Sequence, residues 1–289
     1  MKYIASAGGL GMQVLIYLPI LFLAVVYPFF LKDTISAATI VAIAGISFAF
    51  VHGVLRYGWK GVLILMGFSL VVSFALENAS IASGFPFGHY HYTLDGPQIG
   101  RAPIIVGPLY FAMGYLSWTV ANAALNRADS RLSGMFDRIA LPIAASFAMV
   151  QWDVVMDPTQ STLMKGWIWH DGGGYFGVPL TNYLGWFLTV WLFYQAFAIV
   201  LGKKMGIVKV NDVTERKSYW IAPILLYLLI ALSWALPYLL SQGGTIADAT
   251  GKVWDIQDLQ ETAVVILLYT MVPTGLFALY RTLEWNHSE

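Results

Sequence analysis

Three carboxylates stand where ionisable groups are expensive: Glu77, Asp153 and Asp157 each lie in the last turn of a long apolar run. Asp153 and Asp157 are four residues apart, so on a helix they stack on one face. Two carboxylates one turn apart repel each other, and a helix C-terminus adds its own negative field. Such a pair is expected to hold one proton between its members at neutral pH and so to serve as a proton donor. Pro158 disfavours helical geometry at Asp157, which predicts that the helix ends there. Glu77, followed by Asn78, ends its own run at the same level. The plainer alternative is that all three acids rest in the headgroup layer, bonded to Arg101, Lys165 or loop amides.

Two glycine-rich connections flank these acids, at 78–102 and 157–179. In the first, His89-Tyr90-His91 has alternate spacing, so in an extended segment both imidazoles face one way. With Asp95 or His170 they would make a metal site, yet no His-Glu-x-x-His or helical histidine pair supports one, and hydrogen-bonding bridges are the simpler reading. Neither a metal nor a cofactor is expected. Gly172-Gly173-Gly174 lacks the Lys-Ser/Thr of a phosphate cradle, and no Gly-x-Ser-x-Gly elbow signals a hydrolase. Phe85, Phe87, Tyr90, Tyr92, Trp152, Trp167, Trp169, Tyr175, Phe176, Tyr183 and Trp186 crowd the same edge of the chain's apolar runs. An interfacial belt explains part of this, but a belt is expected at both faces and this density is one-sided. Aromatic faces also stabilise a cation.

The elements that position these groups follow from composition. Of 289 residues, 58% are hydrophobic and 11% charged, against roughly 25% charged in soluble domains. The expectation is an all-α, polytopic membrane helix bundle forming a single integral-membrane domain over 1–289. Eight runs have spanning length: 10–31, 35–55, 61–77, 103–125, 138–156, 180–202, 219–241 and 261–281. The first carries no small-residue cleavage site and is not expected to be a cleaved signal. Lys2, Arg56, Lys60, Arg127, Arg131, Arg138, Lys203, Lys204, Lys209, Arg216, Lys217 and Arg281 fall on the side of the termini, twelve in all. Only Lys32, Arg101, Lys165 and Lys252 fall on the other. That asymmetry predicts cytoplasmic termini and a site near the non-cytoplasmic face. The segments 126–138 and 203–218 read as ordinary linkers. Sixteen basic residues balance sixteen acidic ones, which gives no reason to expect nucleic acid, and the absence of cysteine removes thiol chemistry and disulfides.

Glu77-Asn78 followed by Phe85-Pro86-Phe87-Gly88-His89-Tyr90-His91-Tyr92-Thr93, then Trp152-Asp153-Val154-Val155-Met156-Asp157-Pro158, Trp167-Ile168-Trp169 and Gly174-Tyr175-Phe176-Gly177-Val178-Pro179-Leu180-Thr181-Asn182-Tyr183-Leu184-Gly185-Trp186 together form an ordered set. In these motifs, over about residues 70–200, the chain resembles the membrane-bound carotenoid biosynthesis proteins, which include bacterial carotenoid 1,2-hydratases and haloarchaeal bisanhydrobacterioruberin hydratases. It departs from the pattern at Arg101, where an apolar residue is expected before Ala102-Pro103. The resemblance implies cofactor-independent addition of water to the terminal isoprenoid double bond of an acyclic or monocyclic carotenoid, in the cytoplasmic membrane of a prokaryote. The implied partners are the carotenoid, water and membrane lipid, with other membrane enzymes of carotenoid synthesis as candidate neighbours.

The resemblance supplies no residue roles, so the assignments rest on the residues themselves. Hydrating a trisubstituted alkene takes a strong acid, a pocket that tolerates a tertiary cation, and an aimed water. Asp153 and Asp157 are the expected acid, with Glu77, His89 or His91 placing the water and taking its proton. Trp152, Tyr90, Tyr92, Trp167, Trp169, Tyr175, Phe85 and Trp186 are expected to surround the substrate, and Asn78 and Asn182 to orient water. A cyclase or isomerase would begin with the same protonation, and a transporter or binding protein would use the acids as a relay. Against transport, the acids cluster at one face and the two halves of the chain show no similarity.

Overall fold

The structure is a computed structural model that describes residues 34–203 and 207–285. Its first element, α1 (Thr34–Ser83), runs 50 residues and is broken at Gly58, whose φ of 62° is a left-handed value open to glycine. Residues nine apart on a straight helix are separated by ~13.5 Å, yet a Cβ on Gly53 would lie 2.9 Å from Val62 Cγ2. The chain therefore folds back at Gly58 into two helical legs. Both legs pack on α2 (Val106–Ala124), where small residues let backbones approach: Gly45 faces Ala112, and Gly107 faces Phe74 and Leu70. Helix α2 is buried along nearly all of its length, as befits a central helix.

Around it stand α3 (Met135–Asp157), α4 (Leu180–Lys203), α5 (Lys217–Ser233), the single turn α6 (Leu236–Leu239), α7 (Ile256–Tyr269) and α8 (Met271–Glu284). Large apolar side chains such as Phe147, Leu184 and Leu268 remain exposed on the outer faces, where lipid takes the place of a protein core. Among the described residues three two-stranded antiparallel ladders join the helices, so the helical expectation holds for the bundle but not for the connections. They are β1 (Tyr90–Tyr92) with β4 (Trp167–Trp169), β2 (Gln98–Ile99) with β3 (Ala102–Pro103), and β5 (Thr245–Ala247) with β6 (Val253–Asp255).

Among the described residues, five helical stretches are long and apolar enough to cross a membrane: Ile43–Ser83, Met135–Leu163, Leu180–Lys203, Lys217–Leu239 and Ile256–Glu284. The sequence reading counts eight. The run at 10–31 lies outside the described residues, and the runs at 35–55 and 61–77 merge into one helical stretch through Gly58. The run at 103–125 forms α2, whose glycines, Ser117, Thr119 and Asn122 lower its hydropathy because it faces helices rather than lipid.

Helix α3 corrects another expectation. Asp157 keeps helical dihedrals (φ −59°, ψ −46°), and the chain continues through Pro158 as a π-helical turn, Pro158–Leu163. The amide of Met164 bonds the Thr159 carbonyl five residues back, a wider turn that accommodates the proline ring. The two aspartates thus sit one turn inside the helical run, and the helix-end argument for their protonation lapses.

The connections gather at opposite ends of the bundle. At one end Arg56 grips Asp129 through two bonds of 2.7 and 2.9 Å, both side chains at most 1% exposed. Tyr57 adds a bond to Asp129, Trp118 donates to Tyr57, and the Asp129 amide bonds Asn122. The segment 126–138, expected to be a plain linker, therefore carries a buried ion pair. The other end holds the carboxylates.

Candidate active site

The β1–β4 ladder builds the roof of this second end. Its register sets Tyr90 opposite Trp169 and Tyr92 opposite Trp167, and alternation along each strand sends these four rings to one face. Cross-strand ring contacts follow, 4.8 Å between Tyr90 and Trp169 and 6.0 Å between Tyr92 and Trp167. The connection before β1 is pressed onto α4: Thr181 donates to the Phe87 carbonyl at 2.8 Å, and a Cβ on Gly185 would meet Phe87 at 2.6 Å. Only glycine fits there.

Beneath the roof, Glu77 is buried and receives three phenols. Tyr90 and Tyr92 (2.9 Å) donate to one carboxyl oxygen, and Tyr110 donates to the other at 3.0 Å. Burial first, and then the Glu77 charge, holds the Tyr90 and Tyr92 phenols well above their ordinary range, so both remain protonated donors. Tyr110 stacks on Trp186 at 4.4 Å, and Trp186 meets Trp152 edge-on at 6.2 Å.

Asp153 and Asp157 are also buried, and one side-chain amide joins them. Asn182 Nδ2 donates to Asp153 Oδ2 at 3.1 Å and to Asp157 Oδ2 at 2.5 Å. Trp167 Nε1 donates to the other Asp157 oxygen at 3.0 Å, while Asp153 Oδ1, fully buried, has no hydrogen-bond partner among the described residues. No ion pair among the described residues involves Glu77, Asp153 or Asp157. A chain of contacts links the three acids, from Glu77 through Tyr92 and Trp167 to Asp157, then through Asn182 to Asp153. Tyr175 closes the side with a bond to the Val154 carbonyl at 3.1 Å, its phenol pushed up by burial and then by the two aspartates.

The structure thus brings together Glu77, Asp153, Asp157, Asn182, Tyr90, Tyr92, Trp152, Trp167, Trp169, Tyr175 and Trp186. It does not bring in the other four. His91 on the outward side of β1 and His89 just before the strand pair with His170 (2.7 Å) and Asp171 (3.1 Å) in exposed contacts. Asn78 is spent on backbone, bonding the Phe74 and Ile99 carbonyls and the Arg101 amide, which anchors the β2–β3 turn. Phe85 points outward, 63% exposed. Among the described residues no group of three or more His, Asp or Glu side chains is arranged to hold a metal.

Two contributors escape the sequence reading. Tyr110 sits in the central helix, where attention to ionisable groups passes over a phenol. The β5–β6 hairpin docks beside the roof: Lys165 Nζ donates to the Ala247 carbonyl and Trp254 lies 5.3 Å from Phe176. Its turn is knotted on Asp248, which accepts bonds from Thr250, Lys252 and Trp254. Desolvation is the largest single influence and raises the Asp248 carboxyl, but these bonds together hold it below the usual range. The Asp248-x-Thr250 spacing of an Asx turn is the signal that marks it.

A family model described as carotenoid biosynthesis protein matches residues 37–249, about three quarters of the chain. The chain belongs to this carotenoid biosynthesis family. The matched region includes all three acids, the β1–β4 roof and Asn182, and ends at the start of the Asp248 turn. No curated protein and no solved structure matches the chain.

Proposed function

We propose that this member of the carotenoid biosynthesis family is a carotenoid hydratase that adds water to the terminal isoprenoid double bond. The observation that carries the reading is the Asp153–Asp157 pair: two buried carboxyls held by one Asn182 amide, with no cation among the described residues to balance them. Two buried, unpaired negative charges are prohibitive, so the pair carries a proton. Transfer of that proton to the less substituted alkene carbon leaves a tertiary carbocation and an aspartate anion. The rings of Trp152, Trp167, Trp186 and Tyr92 around the acids suit a transient cation. Glu77, accepting from three phenols, is held in a fixed position facing the same space. Water then forms the C–O bond and returns its proton to the aspartate pair. Atoms balance as one water added, with the acid regenerated.

Aromatic walls and lipid-facing helices suit a substrate whose body stays in the bilayer while one end enters the site. Eight passages follow if the two legs of α1 and α2 count separately and 10–31 is added. The charge asymmetry then puts the acids at the non-cytoplasmic face. The test is expression in a host that accumulates an acyclic carotene, grown in ¹⁸O-labelled water, with mass spectrometry of the pigments. A product heavier by one labelled water supports hydration. An isomer of unchanged mass would replace it with cyclisation or isomerisation.

A further inference from the structure

Resting on the hydratase reading, we infer that Tyr183 positions the attacking water, in a polar niche that it shares with Asp153 and Trp169. Three buried polar atoms around the aspartate pair have no hydrogen-bond partner among the described residues: Asp153 Oδ1, Tyr183 OH and Trp169 Nε1. A buried polar group left unpaired is costly, and such groups in native structures point to water or ligand. Together they offer a carboxyl oxygen, a phenol that both donates and accepts, and an indole N–H that only donates. That is a complementary set for one water molecule.

Their positions agree. Asp153 belongs to the acid pair, and its other oxygen is fixed by Asn182, so Oδ1 is the oxygen left to face a ligand. Trp169 Nε1 is turned toward Asp157, and among the described residues it makes no hydrogen bond of good geometry. Tyr183 follows Asn182 on α4 and lies within electrostatic reach of both aspartates. Its ring meets Tyr175 at 5.8 Å, and Tyr175 is in turn bonded to the Val154 carbonyl between the two acids. The proton donor on α3 and the water niche completed by α4 and β4 thereby meet beside Asp153.

The inference separates two steps that a hydratase normally couples. Protonation needs the aspartate pair, whereas capture of the cation needs the water. When capture fails, the cation loses a proton from carbon to the aspartate anion and returns to an alkene. In heavy water that return leaves deuterium on the end group without new oxygen. The experiment incubates membranes carrying the full chain with an acyclic carotene in doubly labelled water, deuterium and ¹⁸O together, and reads both labels by mass spectrometry. For Tyr183→Phe the expected result is a fall of roughly tenfold or more in ¹⁸O product per deuterium incorporated. Trp169→Phe is read the same way, and serves alone if the tyrosine variant does not accumulate.

An unchanged ratio of the two labels in these variants would overturn the inference while leaving hydration standing. Equal loss of both labels, with pigment still bound, would also overturn it, since Tyr183 would then serve protonation or folding. Absence of both labels in the unmodified protein would instead defeat the hydratase reading itself.

Discussion

Asp129 and Asp153 are both buried carboxylates in the same helical bundle, one at each end, and their surroundings differ completely. Asp129 has a guanidinium gripping both oxygens, a phenol, and a backbone amide anchored on Asn122. Asp153 has one amide, a second carboxyl a turn away, and an oxygen with no partner among the described residues. Burial alone therefore does not distinguish a structural acid from a chemical one. The counter-charge does: a balanced pair has nothing to give, whereas an unbalanced one holds a proton that an apolar substrate can take.

The comparison breaks most visibly under substitution. Asp153→Asn or Asp157→Asn is expected to cut hydration by roughly 10²–10⁴-fold while leaving folded yield and pigment binding intact, as read by product analysis and detergent-solubilised yield. Arg56→Ala at the other end should do the reverse. It strands Asp129 without its cation, at a cost of about 3–5 kcal/mol, measurable as lost thermal stability; the protein that remains folded keeps its specific activity.

How much of this contrast is legible in sequence depends on the distance between partners. The spacing of Asp153 and Asp157 is local, so their shared face can be read directly. Asp129 and Arg56 are separated by 73 residues, and nothing near Asp129 announces its cation. The strand His89-Tyr90-His91-Tyr92 shows the same limit from another side. Alternation predicts that histidines and tyrosines part to opposite faces, but the face that turns inward is set by β4, whose Trp167 and Trp169 pair with it from far along the chain. Pro158 misleads because a π turn relieves the clash that the residue type forecasts. Helix α2 is found at its expected position, yet its buried setting makes it less apolar than a lipid-facing span.

Smaller effects sharpen the comparison. Glu77 lies between the two cases, balanced by neutral donors rather than by a cation. Tyr110→Phe removes one of its three phenols, worth about 1.5–3 kcal/mol for a bond to a charged group, and turnover should fall about tenfold with little change in product identity. Asp248 is the mildest case, an exposed-side carboxylate held by Thr250, Lys252 and Trp254. Its folded-state value is depressed, so its contribution is present above the ordinary carboxylate range of about 4 and is lost as pH falls through the folded value. The hydrogen-exchange protection factors of the β5–β6 hairpin, taken against the intrinsic rate at each pH, should therefore fall in acid, and Asp248→Asn should show the reduced protection already at neutral pH.

The central claim, that a carboxyl without a counter-charge holds a proton where a paired one does not, is tested most directly by infrared difference spectroscopy at neutral pH. The spectrum of the unmodified protein minus that of Asp153→Asn, and minus that of Asp157→Asn, should contain the C=O stretch of a protonated carboxylic acid that shifts in heavy water. The Asp129→Asn difference should contain carboxylate bands only. Carboxylate bands alone in all three differences would contradict the account, because the aspartate pair would then have no proton to give.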